Sequence, residues 1–500
     1  MKHLITFCLL VSSLVIRPTA LSAPPNIVYI LCDDLGYGDV QCLNPQRGKI
    51  KTPNLDRLAA QGMTFTDAHS GSSVCTPTRY GVLTGRCAWR TRLQASVLDG
   101  FVDPLIAADR LTVPALLKQH GYHTACIGKW HLGFTLADIG DAKENKDRKS
   151  GKNAADAEAG RNVAAIGTRT ADGPVTRGFD YYFGIHHARS IKSLFENDRV
   201  IEHVEAVDML PKLTRRAADH ITERGKAGGP FFLCLALNSP HTPIVPSPEW
   251  QGKSGINAYA DYVMETDWAI GEVLAATEKA GIASNTLVIA TSDNGCSPAA
   301  KLPELAKAGH YPSAQFRGHK ADIWDGGHRV PFLVRWPGRA QAGSQCAQAI
   351  CHTDLMATCA DILGAKLPDN AGEDSVSILP ALMGNPIAPV REAIVHHSIN
   401  GRFAVRQANW KLELCPGSGG WGKPGDADAK AQGLPEVQLY DLGTDIGETN
   451  NVQAEHPEVV ARLRNLLDQF IANGRSTPGA KQKNDVQIMV MKPTIATPKE

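Results

Sequence analysis

Four short apolar runs limit what this chain can fold into more than any other feature: Ile27 to Leu31, Thr124 to Ile127, Phe231 to Leu237 and Thr286 to Ala290. Each is too short for a helix, is bounded by turn residues, and suits a strand buried on both faces. Helix-like segments alternate with them. That pattern predicts an α/β fold, a large mixed and mainly parallel sheet sandwiched by helices. With 43% hydrophobic content, 500 residues can bury a substantial core.

The predicted helices carry clear start and stop signals. Thr52 is the expected cap of one that has Pro53 in its first turn, Leu55, Leu58 and Ala59 on one face, and Gly62 at its end. Thr112-Val113-Pro114 opens another, which Gly121 closes. From Tyr259 to Lys279, residues Tyr262, Val263, Thr266, Ala269, Ile270 and Val273 recur at helical spacing before Gly281. Asp141 to Arg161 is almost free of large apolar side chains and reads as a surface insert. Beyond Val390 short alternating runs appear at Ala393–Val395, Arg402–Val405 and Lys411–Leu414, with Asn400-Gly401 as a hairpin turn. A Gly/Pro-rich loop from Pro416 to Pro435 and a helix from Pro457 to Asn473 complete a small C-terminal antiparallel sheet plus helix subdomain. The expected boundaries are 1–23 for a signal peptide, 24–388 for the catalytic α/β domain and 389–500 for the C-terminal α+β subdomain and tail.

Lys2, the apolar stretch Leu4 to Ile16 and the small residues Ala20 to Ala23 have the form of a secretory leader, so the mature protein is expected to be exported, periplasmic or secreted. No later stretch reaches the ~20 apolar residues of a spanning helix, which predicts no membrane association after signal cleavage. A net charge of +1 gives no global field for nucleic acid or a membrane surface. Twelve cysteines, with Cys8 in the leader, leave an odd number, which points to a free or chemically used thiol. Cys75 is the candidate; Cys32, Cys126 and Cys234 lie in apolar runs and read as buried thiols.

In an open parallel sheet, ligands bind outside the carboxyl ends of the strands, so residues after each run should converge on one rim. The four runs lead into Asp33-Asp34, Lys129 and His131, Pro240-His241, and Asp293-Asn294. An Asp after a strand is ordinarily a cap, but four such endings together suggest a site. Asp33, Asp34, Asp293 and Asn294 offer only oxygen ligands, which favours calcium or magnesium over zinc, and calcium suits three carboxylates and an amide better. The competing reading is that the carboxylates simply cap helices and pair with Lys129 or Arg79. Pro77 places Cys75 just before a helix start, where free N–H groups favour anions, and Arg79 reaches the same face.

Cys75-x-Pro77-x-Arg79 followed by Leu83-Thr84-Gly85-Arg86 resembles the signature of the formylglycine-dependent sulfatases, arylsulfatase-like members of the alkaline-phosphatase-like superfamily. Similar segments follow in family order: Gly128 to Gly133, Gly178 to Gly184, Ser239 to Pro243, Ser292 to Gly295, Arg317 to Lys320 and Gly326 to Pro331. Asp325, where Glu is commoner, and the Asp141–Arg161 insert are the departures. The resemblance implies a hydrolase of sulfate monoesters in which a maturation enzyme oxidises Cys75 to formylglycine. It places one calcium ion on Asp33, Asp34, Asp293, Asn294 and the modified residue 75. It further implies that the hydrate attacks sulfur with help from Arg79, that His241 protonates the leaving oxygen, that Lys129 and Lys320 neutralise sulfate oxygens, and that His131 takes the proton that releases sulfate. A phosphomonoester or phosphonate hydrolase of the same superfamily and an inactive glycan-binding protein are the alternatives. The expected substrate is a sulfated carbohydrate, with His186, His187 and Arg189 after one motif, and His396, His397 and Arg402 near a C-terminal strand, reaching the pocket mouth.

Overall fold

The structure, a computed structural model, describes residues 24–136, 163–385 and 391–492; the expected leader and the Asp141–Arg161 insert lie outside them. All four apolar runs are strands at the centre of a ten-stranded sheet: β1 (Asn26–Asp33), β2 (His123–Lys129), β3 (Phe231–Pro240) and β4 (Thr286–Ser292). They lie side by side in the order β4-β1-β3-β2, all parallel. Tyr181–Ile185 continues the sheet in parallel beside β2, then Ser193–Glu196 and Arg199–His203 run antiparallel. On the other side Phe332–Arg335 pairs antiparallel with β4, followed by Met63–Phe65 and Ser344–Cys346. These flanking strands are not among the runs that the sequence marks.

Side chains along β1 alternate between two cores, with Ile27, Tyr29 and Leu31 on one face and Val28, Ile30 and Cys32 on the other. Helices α1 (Pro53–Ala60), α2 (Cys75–Thr84) and α3 (Val113–Gln119) precede two long helices, α4 (Ala206–Ala227) and α5 (Ala258–Lys279). α2 and α3 cover the first face; α1, α4 and α5 cover the second. Each fully buried aliphatic side chain contributes about 1.5–3 kcal/mol, so the two layers hold the sheet rigid beneath its rim.

Three local readings need correction. Thr52 makes no capping bond; its hydroxyl accepts from the Gln41 N–H at 2.8 Å and faces Asp56 Oδ1 at 3.3 Å. Cys75 does not precede α2 but is its first residue, with Val74 in the cap position. β1 and β2 run two residues further than the apolar composition suggests, so Asp33 and Lys129 end strands instead of opening loops.

The C-terminal part forms an antiparallel sheet in the order β5 (Ile394–His397), β6 (Phe403–Gln407), β7 (Trp410–Glu413) and β8 (Gln438–Asp441). The connection from β5 to β6 contains Asn400-Gly401, with Gly401 at φ +69°. The helix Pro457–Asn473 packs Leu463, Leu467 and Phe470 against Val405 and Leu412.

Gly128, next to Lys129 on β2, shows why a glycine stands there. Its φ is +114°, and a Cβ would lie 1.8 Å from the Ala236 carbonyl oxygen on β3. Gly128→Ala should destabilise the fold by about 2–4 kcal/mol, measured by denaturant unfolding, because backbone must move to admit the methyl group.

Candidate active site

The strand ends bring the expected residues to one point. Lys129 Nζ donates to Asp33 Oδ2 at 2.5 Å, and Lys320 Nζ lies 2.6 Å from Asp34 Oδ1. Arg79, four residues into α2, donates through Nη2 and Nε to Asp293 Oδ2 at 2.8 and 3.2 Å and through Nη1 to the Lys129 carbonyl at 2.8 Å. Its Nη2 is also 3.4 Å from Asp33 Oδ2. Asn294 Nδ2 donates to Asp34 Oδ1 at 2.7 Å. Asp33, Asp293 and Asn294 are fully buried, and ligand atoms of Asp33, Cys75 and Asp293 lie within 4.8 Å of one another.

These contacts include the ion pairs that a purely structural reading also expects. What pairing leaves over is more telling: Asp33 Oδ1 and Asn294 Oδ1 are buried and have no hydrogen-bond partner. Buried oxygen acceptors without a donor are costly unless a cation satisfies them. Burial and the Asp33 carboxylate push Asp293 up to about 7 against the pull of Arg79 and Lys129. Burial opposes ionisation of Asp33 as well, yet Lys129, His241 and Arg79 together hold it well below the usual carboxylate range. Three carboxylates and an amide oxygen, two of their atoms unsatisfied, fit a hard divalent cation.

Cys75 is 3% exposed, and burial raises its thiol although Lys129 and Lys320 pull it down. His241 stands at the rim with Nε2 3.7 Å from Asp34 Oδ2 and Nδ1 2.6 Å from the Thr242 carbonyl. Burial and Lys320 press it down to about 4. His131 is fully buried and left-handed at φ +55°; its Nε2 meets the Leu98 carbonyl at 2.8 Å, while Nδ1 is unpartnered. A carbonyl partner fixes the proton on Nε2, so Nδ1 presents a lone pair. Burial, reinforced by His187, keeps this imidazole neutral.

Lys320 reaches the pocket because its segment is sewn to both neighbours. Its N–H donates to the Cys296 carbonyl at 2.9 Å, and the Ala321 N–H donates to the Ser73 carbonyl at 2.9 Å. Asp34 sits at φ +68°, held by Tyr259, whose hydroxyl contacts the Asp34 carbonyl at 3.2 Å and Asp39 Oδ2 at 2.5 Å. Asp39 in turn takes His310 Nε2 at 2.7 Å. This support was invisible in sequence, since Asp39 and His310 are 271 positions apart and neither lies in a recognisable motif.

The histidines expected at the pocket mouth are placed differently. His187 packs its ring 4.2 Å from that of His131 and is 7% exposed. His186 is buried against the Gly100 carbonyl, and His396 is buried against His328. His397 is 1% exposed; it joins the site through its backbone, accepting from the Ser73 N–H at 3.2 Å, while its imidazole turns to the Ser398 carbonyl. Arg402 pairs with Asp426 at 2.6 Å. The Arg189 side chain lies outside the described residues.

A solved Bacteroides thetaiotaomicron structure, a 6S-sulf protein described with the metabolism of multiple glycosaminoglycans, has the same architecture: TM-score 0.77 and 28% identity over 90% of this chain and 99% of that one. Fold and rim site together define an alkaline-phosphatase-like hydrolase. The sulfatase family model matches residues 25–365. N-acetylgalactosamine-6-O-sulfatase of Bacteroides thetaiotaomicron is 31% identical, covering 89% of this chain and 93% of its own length, and human arylsulfatase A is 31% identical, covering 94% and 93%. The chain belongs to the sulfatase family and is a sulfuric ester hydrolase.

Proposed function

We propose that this protein is an exported sulfatase of sulfated carbohydrates, working with one calcium ion and a formylglycine made from Cys75 by a maturation enzyme. The observation that carries this reading is the buried, unactivated Cys75 thiol at the head of α2, facing carboxylates whose oxygens are not all satisfied. A thiol raised by burial is a poor nucleophile, and its Sγ marks where the hydroxyls of the converted residue would stand. Calcium on Asp33, Asp34, Asp293, Asn294 and residue 75 would supply positive charge beside the attacking oxygen. Formylglycine hydrate would supply the attacking hydroxyl and a second one through which sulfate is released.

The remaining work falls to side chains already in place. Lys129 and Lys320 hold the sulfate oxygens, and Arg79 fixes Asp293 and the strand end that carries Lys129. His241 protonates the departing alcohol oxygen. His131, with a free Nδ1 lone pair, accepts a proton at that atom.

In the free enzyme His241 is mostly neutral above about 4. If it is the acid, kcat/KM falls as pH rises through that region, whereas the kcat limb lies at higher pH because the bound sulfate anion favours the protonated ring. His241→Ala should remove this limb from both profiles; an unchanged limb would take His241 out of the role.

The bacterial relatives named for N-acetylgalactosamine and glycosaminoglycan chemistry support a carbohydrate substrate. A panel of defined sulfated mono- and oligosaccharides, compared with nitrophenyl and steroid sulfates, tests it. The expected result is preference for one sulfate position on a sugar. Higher catalytic efficiency on every phenolic or steroid sulfate would refute it, and an unaltered sugar preference in His187→Ala would remove His187 from substrate recognition.

A further inference from the structure

Behind the catalytic pocket three histidines meet in the interior. His69 ends the short strand Ala68–His69 on the segment that runs into Cys75, His328 ends the short helix Asp325–His328 beyond Lys320, and His396 lies on β5 of the C-terminal sheet. Their exposures are 0, 1 and 0%. One ring nitrogen of each lies within 4.8 Å of the others, and His69 Nδ1 is 3.0 Å from His328 Nδ1.

The outer nitrogens decide where the protons are. His69 Nε2 is 2.7 Å from Asp67 Oδ1, His328 Nε2 is 3.1 Å from the Ile323 carbonyl, and His396 Nδ1 is 3.1 Å from the Ser70 carbonyl. Each of these partners only accepts, so each outer nitrogen carries the hydrogen and each inner nitrogen keeps a lone pair. His69 Nε2 has one further neighbour, Arg406 Nη1 at 2.9 Å. That guanidinium already grips Asp67 through Nη1 and Nη2 at 2.7 Å each. Nη1 lies in hydrogen-bonding geometry with both Asp67 Oδ1 and His69 Nε2, but a carboxylate oxygen 2.7 Å from Nε2 needs a hydrogen between the two. The proton on His69 stays on Nε2.

Two lone pairs then face each other across 3.0 Å, and a third, on His396 Nε2, is buried without a partner. A cation reconciles the two facing lone pairs, either a metal ion or a proton shared by His69 and His328, and the orphaned Nε2 of His396 lies on a ring stacked over His328 beside them. Burial opposes the proton, pressing His69 down to about 4 and the other two well below their ordinary value.

We propose that His69, His328 and His396 form a second metal site, distinct from the catalytic one, for a late first-row divalent ion such as zinc. Neutral imidazoles suit such ions, whereas the oxygen set at the catalytic rim suits calcium. Tetrahedral zinc with bonds of 2.0–2.1 Å separates its nitrogens by about 3.3 Å, close to the spacing of His69 and His328. Asp67 behind His69 is the carboxylate that commonly orients a metal-binding imidazole. The rings of His328 and His396 stack at 3.9 Å and 11°, so binding turns the His396 ring about its Ser70 hydrogen bond to bring Nε2 to the ion. The ion joins three segments that the chain keeps apart: the approach to Cys75, the helix beyond Lys320 and β5.

The test uses the full chain carrying Cys75→Ser, so that the thiol at the rim site does not contribute, with saturating calcium to occupy that site. Metal content after production in zinc-supplemented medium, and titration with cobalt(II), read the site directly. The expected result is about one zinc per chain and, with cobalt, the intense visible absorption of a low-coordinate nitrogen site. His328→Gln and His396→Gln should each lower the stoichiometry towards zero while calcium content is unchanged. Wild-type-level zinc in both folded variants would overturn the proposal. So would a parent chain that holds no zinc and gives only the weak colour of hydrated cobalt, which leaves the shared proton as the cation. The parent measurement decides even where the variants do not fold.

Discussion

Cys75→Ala is expected to abolish turnover, with a loss on the order of 10⁴- to 10⁶-fold, the range seen when a covalent nucleophile is removed from a site whose binding groups survive. The substitution is small and the site buried, so the chain should fold and still bind sulfate through Lys129 and Lys320. Cys75→Ser is expected to behave differently from alanine. Its single hydroxyl can attack sulfur but has no second hydroxyl to release it, so the protein should accumulate as a covalent sulfate ester visible by mass spectrometry. In the wild type, the fraction of residue 75 carrying the aldehyde, read from the same peptide, should track specific activity across preparations with and without a competent maturation enzyme. Full activity with an unmodified thiol would sink the mechanism, because burial leaves that thiol protonated.

The second large effect is expected at Asp293. Asp293→Ala removes one oxygen ligand and the partner that Arg79 Nη2 holds at 2.8 Å, so two losses add. Bound calcium should disappear and the rate should fall by at least about 10³-fold, as when a principal electrostatic group is removed from a water-excluded site. Arg79 is 3% exposed and keeps the Lys129 carbonyl but, of its carboxylate partners, only the more distant Asp33, and breaking a buried pair in this way costs about 3–5 kcal/mol. Asp293→Asn separates the effects: it retains an acceptor for Arg79 while weakening the metal site, so stability should recover more than rate. Calcium stoichiometry, melting temperature and kcat/KM on one set of preparations distinguish these outcomes. An Asp293→Ala enzyme fully active after exhaustive chelation would show that no ion is needed.

The supporting ion networks explain why so many charges are tolerated in the interior. Lys411 is fully buried and contacts Asp325 at 2.9 Å, Glu413 at 3.1 Å and Glu448 at 2.5 Å; Asp325 also takes Arg329 at 2.8 Å. Asp325 stands where the family resemblance leads one to expect Glu. Its two partners hold it well below the usual carboxylate range even though burial works the other way. One side of this network is the segment just beyond Lys320 and the other is the C-terminal sheet, so that sheet helps to hold Lys320 in place.

Much of the catalytic rim was legible from residue order alone, and the reason is geometric. A parallel strand buried on both faces must be a continuous apolar run, and the chain must turn polar where it leaves the sheet; Asp33, Lys129, His241 and Asp293 therefore sit at or just beyond positions that local composition marks. Pro77 and the Cys-x-Pro-x-Arg spacing likewise mark a helix start, a property of three or four adjacent residues. Other features depend on residues that meet only after folding. Whether Asp33 Oδ1 is satisfied, whether His131 offers Nδ1 or Nε2, and whether the paired histidines His186-His187 and His396-His397 face solvent or core are set by atoms outside any local window, from 33 positions away for His131 to 326 for His396. The alternation that made a strand readable could not tell which face of β5 would meet His69 and His328. Sequence by itself determined the layered α/β plan and the chemistry gathered on its rim, because both follow from short-range pattern; the tertiary structure alone decided protonation, pairing and burial, because those depend on which distant side chains share a low-dielectric space.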